Sequence, residues 1–225
     1  MLKIDLHKTF KTKKRTTKIV CKATFKLGST SAIYGKSGIG KSTILRMIAG
    51  LEKAESGFIQ YKDEVWFDEK NKINQTIADR NTGFVFQDFN LFPNMTVEGN
   101  LKYVSKKGIS KETIHLLKVT DSIKLMANYP HELSGGEKQR ISIIRALSQN
   151  PKLVLLDEPF SALDDDSIGD LINEIKMIQK EYGTTIILVS HRKDVIFEMA
   201  NSMVYLKSDN TIEQGKPKDL IKKSF

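Results

Sequence analysis

The sequence predicts an α/β fold in which a mainly parallel β-sheet is covered by helices. Three short runs, SAIY, LVLL and TIILV, are apolar throughout, which is typical of strands that are buried on both faces of a sheet. Segments with the apolar period of a helix lie between them, at 42–49, 137–148 and 168–181. The stretch from about Asp88 to Asn150 contains no convincing strand pattern, so we expect a helical insertion there.

The individual elements follow from the same patterns. Strand-like runs occur at residues 2–6, 20–25, 31–34, 83–86, 153–156, 185–189 and 203–206. The helical segment at 168–181 has the clearest apolar face, which is formed by Ile168, Leu171, Ile172, Ile175 and Ile178. The chain has no low-complexity segment and no internal repeat, and its length suits one domain, with or without a small additional lobe.

The composition excludes several classes of protein. Of the 225 residues, 40% are hydrophobic and 28% are charged, which is ordinary for a soluble globular chain. The single cysteine, Cys21, excludes an internal disulfide and a multi-cysteine metal site, and it indicates a reducing cytoplasm. The aliphatic runs are far shorter than the roughly 20 residues that a membrane span requires, and no apolar leader segment is expected at the start of the sequence.

The formal net charge of +9 leaves a nucleic-acid or membrane-surface partner open. The excess is concentrated near the two ends of the chain, in lysines and one arginine between positions 8 and 18 and in lysines between 216 and 223. These runs lack the aromatic interleaving that stacks nucleic-acid bases. A solvated, lysine-rich surface is therefore the favoured interpretation, and direct binding of nucleic acid is not expected.

The segment GKSGIGKST matches the phosphate-loop pattern G-x-x-x-x-G-K-[ST], with an apolar strand before it and a helix after it. Its glycines let several backbone N–H groups converge on phosphate oxygens, and the dipole of the following helix adds positive potential. We expect Lys41 to reach the β- and γ-phosphates and the Ser42 hydroxyl to ligate Mg²⁺. The predicted nucleotide-binding residues of the loop are Gly35, Lys36, Ser37, Gly38, Gly40, Lys41, Ser42 and Thr43.

The segment LVLLDEP places two carboxylates where a buried strand ends, which is where open α/β sheets bind their ligands. Asp157 is expected to hold Mg²⁺ through its water shell, and Glu158 to accept a proton from the attacking water. An exposed acidic turn is the alternative. The presence of a phosphate loop in the same chain favours the catalytic interpretation.

Two further polar residues follow predicted strands. His191 ends the run TTIILVSH, and its place at a strand terminus predicts a contact with the γ-phosphate rather than a purely structural role. Gln87 follows GFVF and is suited to contact magnesium or water and to move between the two. With Glu158 and Lys41, they complete the predicted catalytic set.

The segment LSGGEKQR predicts a capped helix, with Ser134 at the N-cap and Glu137 three residues later. Gly135 and Gly136 leave backbone N–H groups uncovered at the start of this helix, which is a suitable anion site. One triphosphate does not need two such sites from one chain. We therefore expect two copies to pair head to tail about a twofold axis, each placing this turn on the nucleotide that the other copy holds.

Taken together, GKSGIGKST, Gln87, LSGGEKQR, LVLLDEP, SALD and His191 resemble the ATP-binding cassette (ABC) proteins in order and spacing. The resemblance implies a RecA-like P-loop NTPase core (1–87 and 151–225) with an N-terminal antiparallel β-subdomain and an inserted α-helical subdomain (88–150). It also implies ATP and Mg²⁺ as cofactors and an ATP-dependent homodimer, in which Ser134 and Gly136 act in trans and Asp164 bridges the two sites. The family's adenine-stacking aromatic residue is usually a tyrosine, and Phe10 is the candidate here.

The stretch FQDFNLFPNMTVEGNL resembles the transporter branch of the family, which implies separate membrane permease subunits and a cytoplasmic location on the inner face of the cell membrane. Its apolar residues are expected to line a groove for a helix of the membrane subunit, or else to pack the helical lobe. These residues are Phe89, Leu91, Phe92, Met95 and Val97.

The segments VWFD, RNTGFVFQ and LSGGEKQR are similar to those of molybdate/tungstate-type oxyanion importers, which implies an extracytoplasmic substrate-binding protein as a further partner. The sequence ends at Phe225, where many such proteins continue into a regulatory domain, so none is expected here. ATPases of small exporters or of lipoprotein-releasing systems are the alternative. A soluble ABC ATPase acting on nucleic acid is less favoured, because no coiled-coil insertion and no second cassette are present.

Overall fold

The computed structural model describes residues 1–11, 16–105, 108–161, 163, 165–209 and 211–222. Its internal contacts divide the chain into two compact units. The first unit comprises Met1–Arg80 and Thr185–Phe225, and the second comprises Asn81–Thr184. The predicted boundaries of the helical subdomain, 88 and 150, stay a prediction.

The secondary structure alternates along the chain as the sequence predicts. In the described residues the strands are β1 (Leu2–Lys11), β2 (Thr16–Phe25), β3 (Thr30–Gly35), β4 (Ser56–Tyr61), β5 (Glu64–Asp68), β6 (Ile73–Asn74), β7 (Thr82–Val85), β8 (Leu153–Asp157), β9 (Thr185–Val189), β10 (Ser202–Leu206) and β11 (Ile212–Gly215). The helices there are α1 (Lys41–Ala49), α2 (Ile77–Arg80), α3 (Val97–Val104), α4 (Lys111–Val119), α5 (Gly135–Leu147), α6 (Asp165–Tyr182), α7 (Lys193–Met199) and α8 (Pro217–Lys222).

The first unit contains an antiparallel sheet in the order β2-β1-β4-β5-β6. Strands β1 and β2 pair in register from Leu2 opposite Phe25 to Lys11 opposite Thr16. Alternate residues of β1, beginning with Leu2, are buried along one face, because successive side chains of a strand point to opposite sides. The antiparallel β-subdomain implied by the family resemblance is thus present at the N-terminus.

The first unit also contains the parallel strands β10, β3 and β9, with β11 antiparallel at the edge beside β10. All residues of β9 are buried, and in β3 only Tyr34 is partly exposed. Helix α1 packs against both β3 and β9. These are the features expected of strands covered by helices, and the predicted α/β class is confirmed.

The second unit pairs β7 and β8 in parallel and is otherwise helical. Helices α3, α4, α5 and α6 contribute to one apolar cluster, which includes Val97, Leu117, Ile141 and Ile178. Between Asp88 and Asn150 the described residues form no strand, so the predicted helical insertion is confirmed. The predicted apolar face of α6 is also buried.

No helix among the described residues has the length and hydropathy needed to cross a membrane.

Candidate nucleotide-binding site

The phosphate loop connects β3 to α1 in the first unit. Gly40 lies at the N-cap of α1 with φ of 105°, a left-handed conformation that favours glycine. A Cβ atom on Gly40 would lie 2.4 Å from Cδ1 of Ile19 on β2. Glycine is therefore required here both by the backbone conformation and by the close approach of the loop to β2.

Lys41 opens α1, and its side chain turns back into the loop. The residue is 7% exposed, and its Nζ donates hydrogen bonds to the carbonyl oxygens of Gly35, at 2.9 Å, and Lys36, at 3.2 Å. Ser42 and Thr43 follow in the first turn and are partly buried, whereas Lys36, Ser37 and Gly38 at the loop tip are exposed. A buried ammonium beside a helix N-terminus and an exposed glycine loop fit the phosphates of a nucleotide.

A cleft of about 270 Å³ extends from the phosphate loop to the far end of β2. It is lined by Thr16, Thr17, Lys18, Lys36, Ser37, Gly38, Ile39 and Ser208. Phe10 lies directly opposite Thr17 in the β1–β2 register and is 38% exposed. The ammonium of Lys8 lies 5.5 Å from the centre of the Phe10 ring. This arrangement is consistent with Phe10 as the base-stacking residue, which stays a prediction.

The far end of α1 is held by a residue that no sequence motif points to. The buried Arg80 guanidinium donates to the carbonyls of Met47, at 2.7 Å, and Ile48, at 2.8 Å. Burial lowers the pKa of Arg80 to about 10. A cation at the C-terminal carbonyls complements the helix dipole, and so Arg80 stabilises the helix whose other end forms the phosphate loop.

His191 lies two residues beyond β9, at an exposed position. Because β9 and β3 are parallel neighbours, their carboxyl ends lie at the same edge of the sheet. The structure thus places His191 and the phosphate loop at one edge of the first unit.

In the second unit, the carboxyl ends of β7 and β8 lead into the predicted catalytic residues. Val85 of β7 lies opposite Leu156 of β8, and the chain continues from these positions to Gln87 and to Asp157 and Glu158. Asp157 is 3% exposed, and Glu158 has a left-handed φ of 49°. Carboxylate and amide oxygens are ligands that Mg²⁺ prefers, so this donor set fits the ion.

The LSGGEKQR segment forms the capping box that its sequence predicts at the start of α5. The Ser134 hydroxyl accepts from the Glu137 N–H at 3.3 Å, and Glu137 Oε2 accepts from the Ser134 N–H at 2.8 Å. The Glu137 carboxylate also accepts from the Ser134 hydroxyl at 2.9 Å, and the Ser134 N–H and hydroxyl together lower the pKa of Glu137. Among the described residues, a Cβ atom on Gly136 would meet nothing closer than 3.8 Å. Packing against these residues therefore does not require glycine at 136.

Two predictions have other outcomes. Asp164 lies outside the described residues. Val97 does not line a groove, because it is fully buried in the apolar cluster of the second unit; this part of the prediction was wrong. Leu91 packs against the same cluster, whereas Phe92 remains 36% exposed. The alternative interpretation, packing of the helical lobe, therefore holds for part of the segment.

Comparison with known proteins gives a consistent assignment. The profile of the ABC transporter family matches residues 20–161. Over 189 residues the chain is 39% identical to the molybdenum import ATP-binding protein ModC of Pseudomonas syringae pv. tomato, covering 82% of this chain and 52% of that protein. It is also 39% identical over 201 residues to the sulfate/thiosulfate import ATP-binding protein CysA of Mesostigma viride, covering 87% and 56%. The chain thus spans about half the length of the curated relatives it matches.

Solved structures of similar size share the fold. The dimeric bacterial ABC transporter cassette MJ0796 superposes with a TM-score of 0.79 at 29% identity, covering 96% of this chain and 99% of that one. The protein cbiO1 from Clostridium perfringens, part of the ABC transporter complex cbiONQ, gives a TM-score of 0.81 at 27% identity, with coverage of 99% and 91%. These cassettes and the mixed sheets of this chain fit a RecA-like P-loop fold.

Proposed function

The chain belongs to the ABC transporter family, and from this premise we propose that it binds and hydrolyses Mg-ATP to drive transport by separate membrane subunits. The observation that carries the proposal is the phosphate loop between β3 and α1. There Lys41, the buried first residue of α1, donates a hydrogen bond to the Gly35 carbonyl at the end of β3. A nucleotide would enter the cleft beside this loop and place its base near Phe10.

Binding of the triphosphate would depend on the first unit. The loop amides and the dipole of α1 would hold the phosphates, and Lys41 would exchange its carbonyl partners for the β- and γ-phosphates. As the family resemblance implies, Mg²⁺ would be held by the Ser42 hydroxyl, by Gln87 and, through its water shell, by Asp157. When bound, the ion would neutralise charge on the β- and γ-phosphate oxygens.

Hydrolysis would depend on residues at the strand ends. Glu158 would accept a proton from the water that attacks the γ-phosphorus, while the bond to the bridging oxygen of ADP breaks. His191 would hydrogen-bond the γ-phosphate and orient it. Gln87 would move when this phosphate is bound, and the segment that follows Gln87 in the chain would move with it.

The second anion site supports a head-to-tail dimer. Ser134 caps a helix of 13 residues, and Gly136 lies in its first turn. Packing among the described residues does not require glycine at 136. A backbone left open in this way suits a phosphate from outside the chain. We infer that Ser134, Gly135 and Gly136 close over the γ-phosphate held by the partner copy, and that Asp164 bridges the two sites.

The transported substrate is proposed to be an oxyanion such as molybdate, taken up through a permease and an extracytoplasmic binding protein. The support is similarity to two import ATP-binding proteins, one named for molybdenum and one for sulfate and thiosulfate. The chain would then act on the inner face of the cell membrane. Uptake of molybdate by the assembled transporter, with sulfate as competitor, tests this class. Uptake of neither anion would contradict it.

Two substitutions test the ATPase assignment. Glu158→Gln removes the proton acceptor while keeping the size and polarity of the side chain, so ATP should bind and hydrolysis should fall by at least about 100-fold. An ATP-bound dimer should then accumulate on gel filtration.

Lys41→Ala should abolish ATP binding, measured by calorimetry. Undiminished hydrolysis in Glu158→Gln, or tight ATP binding in Lys41→Ala, would contradict the proposal.

A further inference from the structure

The segment after Gln87 contains two consecutive left-handed residues that are not glycine. Phe89 has φ of 59° and Asn90 has φ of 50°. Such conformations are unfavourable, for phenylalanine above all, and they persist where the surrounding structure holds them. Because Phe89 is only two residues from Gln87, whatever holds Phe89 also fixes the chain that carries Gln87.

Helix α5 holds this segment through two side chains. The Ser142 hydroxyl donates to the Phe89 carbonyl at 2.9 Å. Arg145 Nη2 donates to the same carbonyl at 3.4 Å. The two donors lie nearly one turn apart on α5, so both face the same segment.

A fully buried asparagine connects Arg145 to the rest of the segment. Asn100 Oδ1 accepts from Arg145 Nη1 at 3.2 Å and from the Phe92 N–H at 2.8 Å. Asn100 Nδ2 donates to the carbonyls of Phe92, Met95 and Thr96, at distances of 3.1, 3.2 and 3.0 Å. Both amide atoms are thus satisfied, and buried networks of this kind define a single local conformation.

Arg145 also contacts the exposed surface of the segment. Its guanidinium carbon lies 5.6 Å from the centre of the Phe92 ring, in cation–π geometry. Phe92 packs on Tyr103 with 4.6 Å between ring centres, and both rings are exposed. One guanidinium therefore contacts the carbonyl of the left-handed Phe89, the buried Asn100 amide and the exposed Phe92 ring.

We propose that Arg145 is a positioning residue that locks the Gln87 segment to α5, the helix whose first turn carries Ser134. The inference rests on the proposed function, because it assigns a purpose to the position of Gln87. A partner helix that displaced Phe92 would move the Arg145 guanidinium, and with it the Phe89 carbonyl. The displacement would reach Ser134 through about 16 Å of continuous helix.

The test compares two arginines of the same helix. Arg145→Met keeps the length of the side chain and removes its donors, so kcat for ATP hydrolysis should fall about tenfold while KM for ATP changes less than about twofold. Arg140→Met is the matched control, because Arg140 is also partly buried but pairs with Glu174 on α6, at 3.0 Å. It should lower thermal stability without lowering kcat. Arg145→Lys should recover part of the lost kcat.

Two further measurements make the test specific to positioning. The Phe92 amide, which donates to Asn100, should exchange its hydrogen at least about tenfold faster in Arg145→Met than in the wild type. Asn90→Gly removes the penalty of the left-handed conformation, so adding it to Arg145→Met should restore part of kcat.

The inference is overturned if Arg145→Met keeps wild-type kcat, if Arg140→Met lowers kcat equally, or if Phe92 exchange is unchanged. Failure of the proposed function would look different. Hydrolysis would then persist in Glu158→Gln, whereas the exchange of the Phe92 amide would still respond to Arg145.

Discussion

At the scale of single residues, Gly136 differs from the glycines that packing within the chain requires. Many glycines are required because a side chain would collide with the chain's own atoms, as Gly40 would with Ile19. At Gly136 the nearest such atom in the part of the chain that the structure describes is 3.8 Å away, an ordinary contact distance. The Ser134 hydroxyl donates to Glu137 Oε2 in this chain, so its proton would turn to the phosphate when the partner's nucleotide binds. Packing among the described residues does not account for glycine at 136, whereas the proposed contact with a partner's phosphate would.

Gly136→Ala should consequently stabilise the protein while damaging its activity. Alanine favours a helix over glycine by up to about 1 kcal/mol, so thermal unfolding should move upward. The added methyl group would cover the amides offered to the partner's phosphate, and kcat should fall about tenfold or more. Gly169→Ala on α6, where a Cβ atom meets nothing within 4 Å, is the control and should stabilise without loss of kcat. Equal activity in both variants would contradict the trans site.

The residues that could be located from sequence are those whose chemistry has a fixed local spacing. Lys41 and Glu137 belong to short motifs, and each lies where its motif predicts. Arg80 and Arg145 carried no such signal, because their roles depend on partners more than 30 positions away in the chain. Arg80, for example, contacts carbonyls more than 30 positions earlier in the chain.

At the scale of elements, α5 joins the two parts of the second unit that the function would use. Its first turn is the capping box of Ser134 and Glu137, and its later turns hold the Phe89 carbonyl through Ser142. A helix of 13 residues with this cap is a stiff connection. The position of Ser134 is therefore set by the integrity of the cap.

The cap should make α5 sensitive to acid. Because the folded state lowers the pKa of Glu137, its contribution to stability is present above the ordinary glutamate pKa and is lost as the pH falls through the lowered value. Glu137→Ala should cost about 1 kcal/mol of unfolding free energy at pH 7, and the difference from the wild type should shrink in acid. Urea denaturation of the variant and the wild type, at pH 7 and at acid pH, measures this difference in unfolding free energy.

An exposed glutamate provides the comparison for that measurement. Glu98 pairs with Lys102 on the surface of α3, so Glu98→Ala should cost less than about 0.5 kcal/mol. If Glu137→Ala cost no more than Glu98→Ala, the capping box would not be what stabilises this end of α5.

Elements were predictable where apolar residues recur with a clear period. Strand β1 was expected to end at residue 6, because Lys8 interrupts the alternation of buried apolar residues after Leu6. In the structure the strand continues to Lys11. Lys8 is accommodated by an ion pair with Glu52 at 2.7 Å, a partner that local sequence does not reveal. The short strands β4, β5 and β6 were not among the expected runs, since few of their residues are buried.

At the scale of the whole molecule, the predicted catalytic and binding residues divide between the two compact units. The first unit carries Lys41, Ser42 and His191, and the second carries Gln87, Asp157, Glu158 and the Ser134 turn. In the proposed mechanism, hydrolysis also requires the Ser134 turn of a second copy. We therefore expect activity to depend on ATP-driven pairing of two chains.

The most direct test is a structure of the Glu158→Gln variant with Mg-ATP. Its central measurement is the distance from the Ser134 hydroxyl of one copy to the γ-phosphate oxygens bound by Lys41 of the other. The account predicts a hydrogen bond of about 3 Å across a twofold axis. A bound triphosphate whose γ-phosphate has no Ser134 turn near it, from either copy, would contradict it.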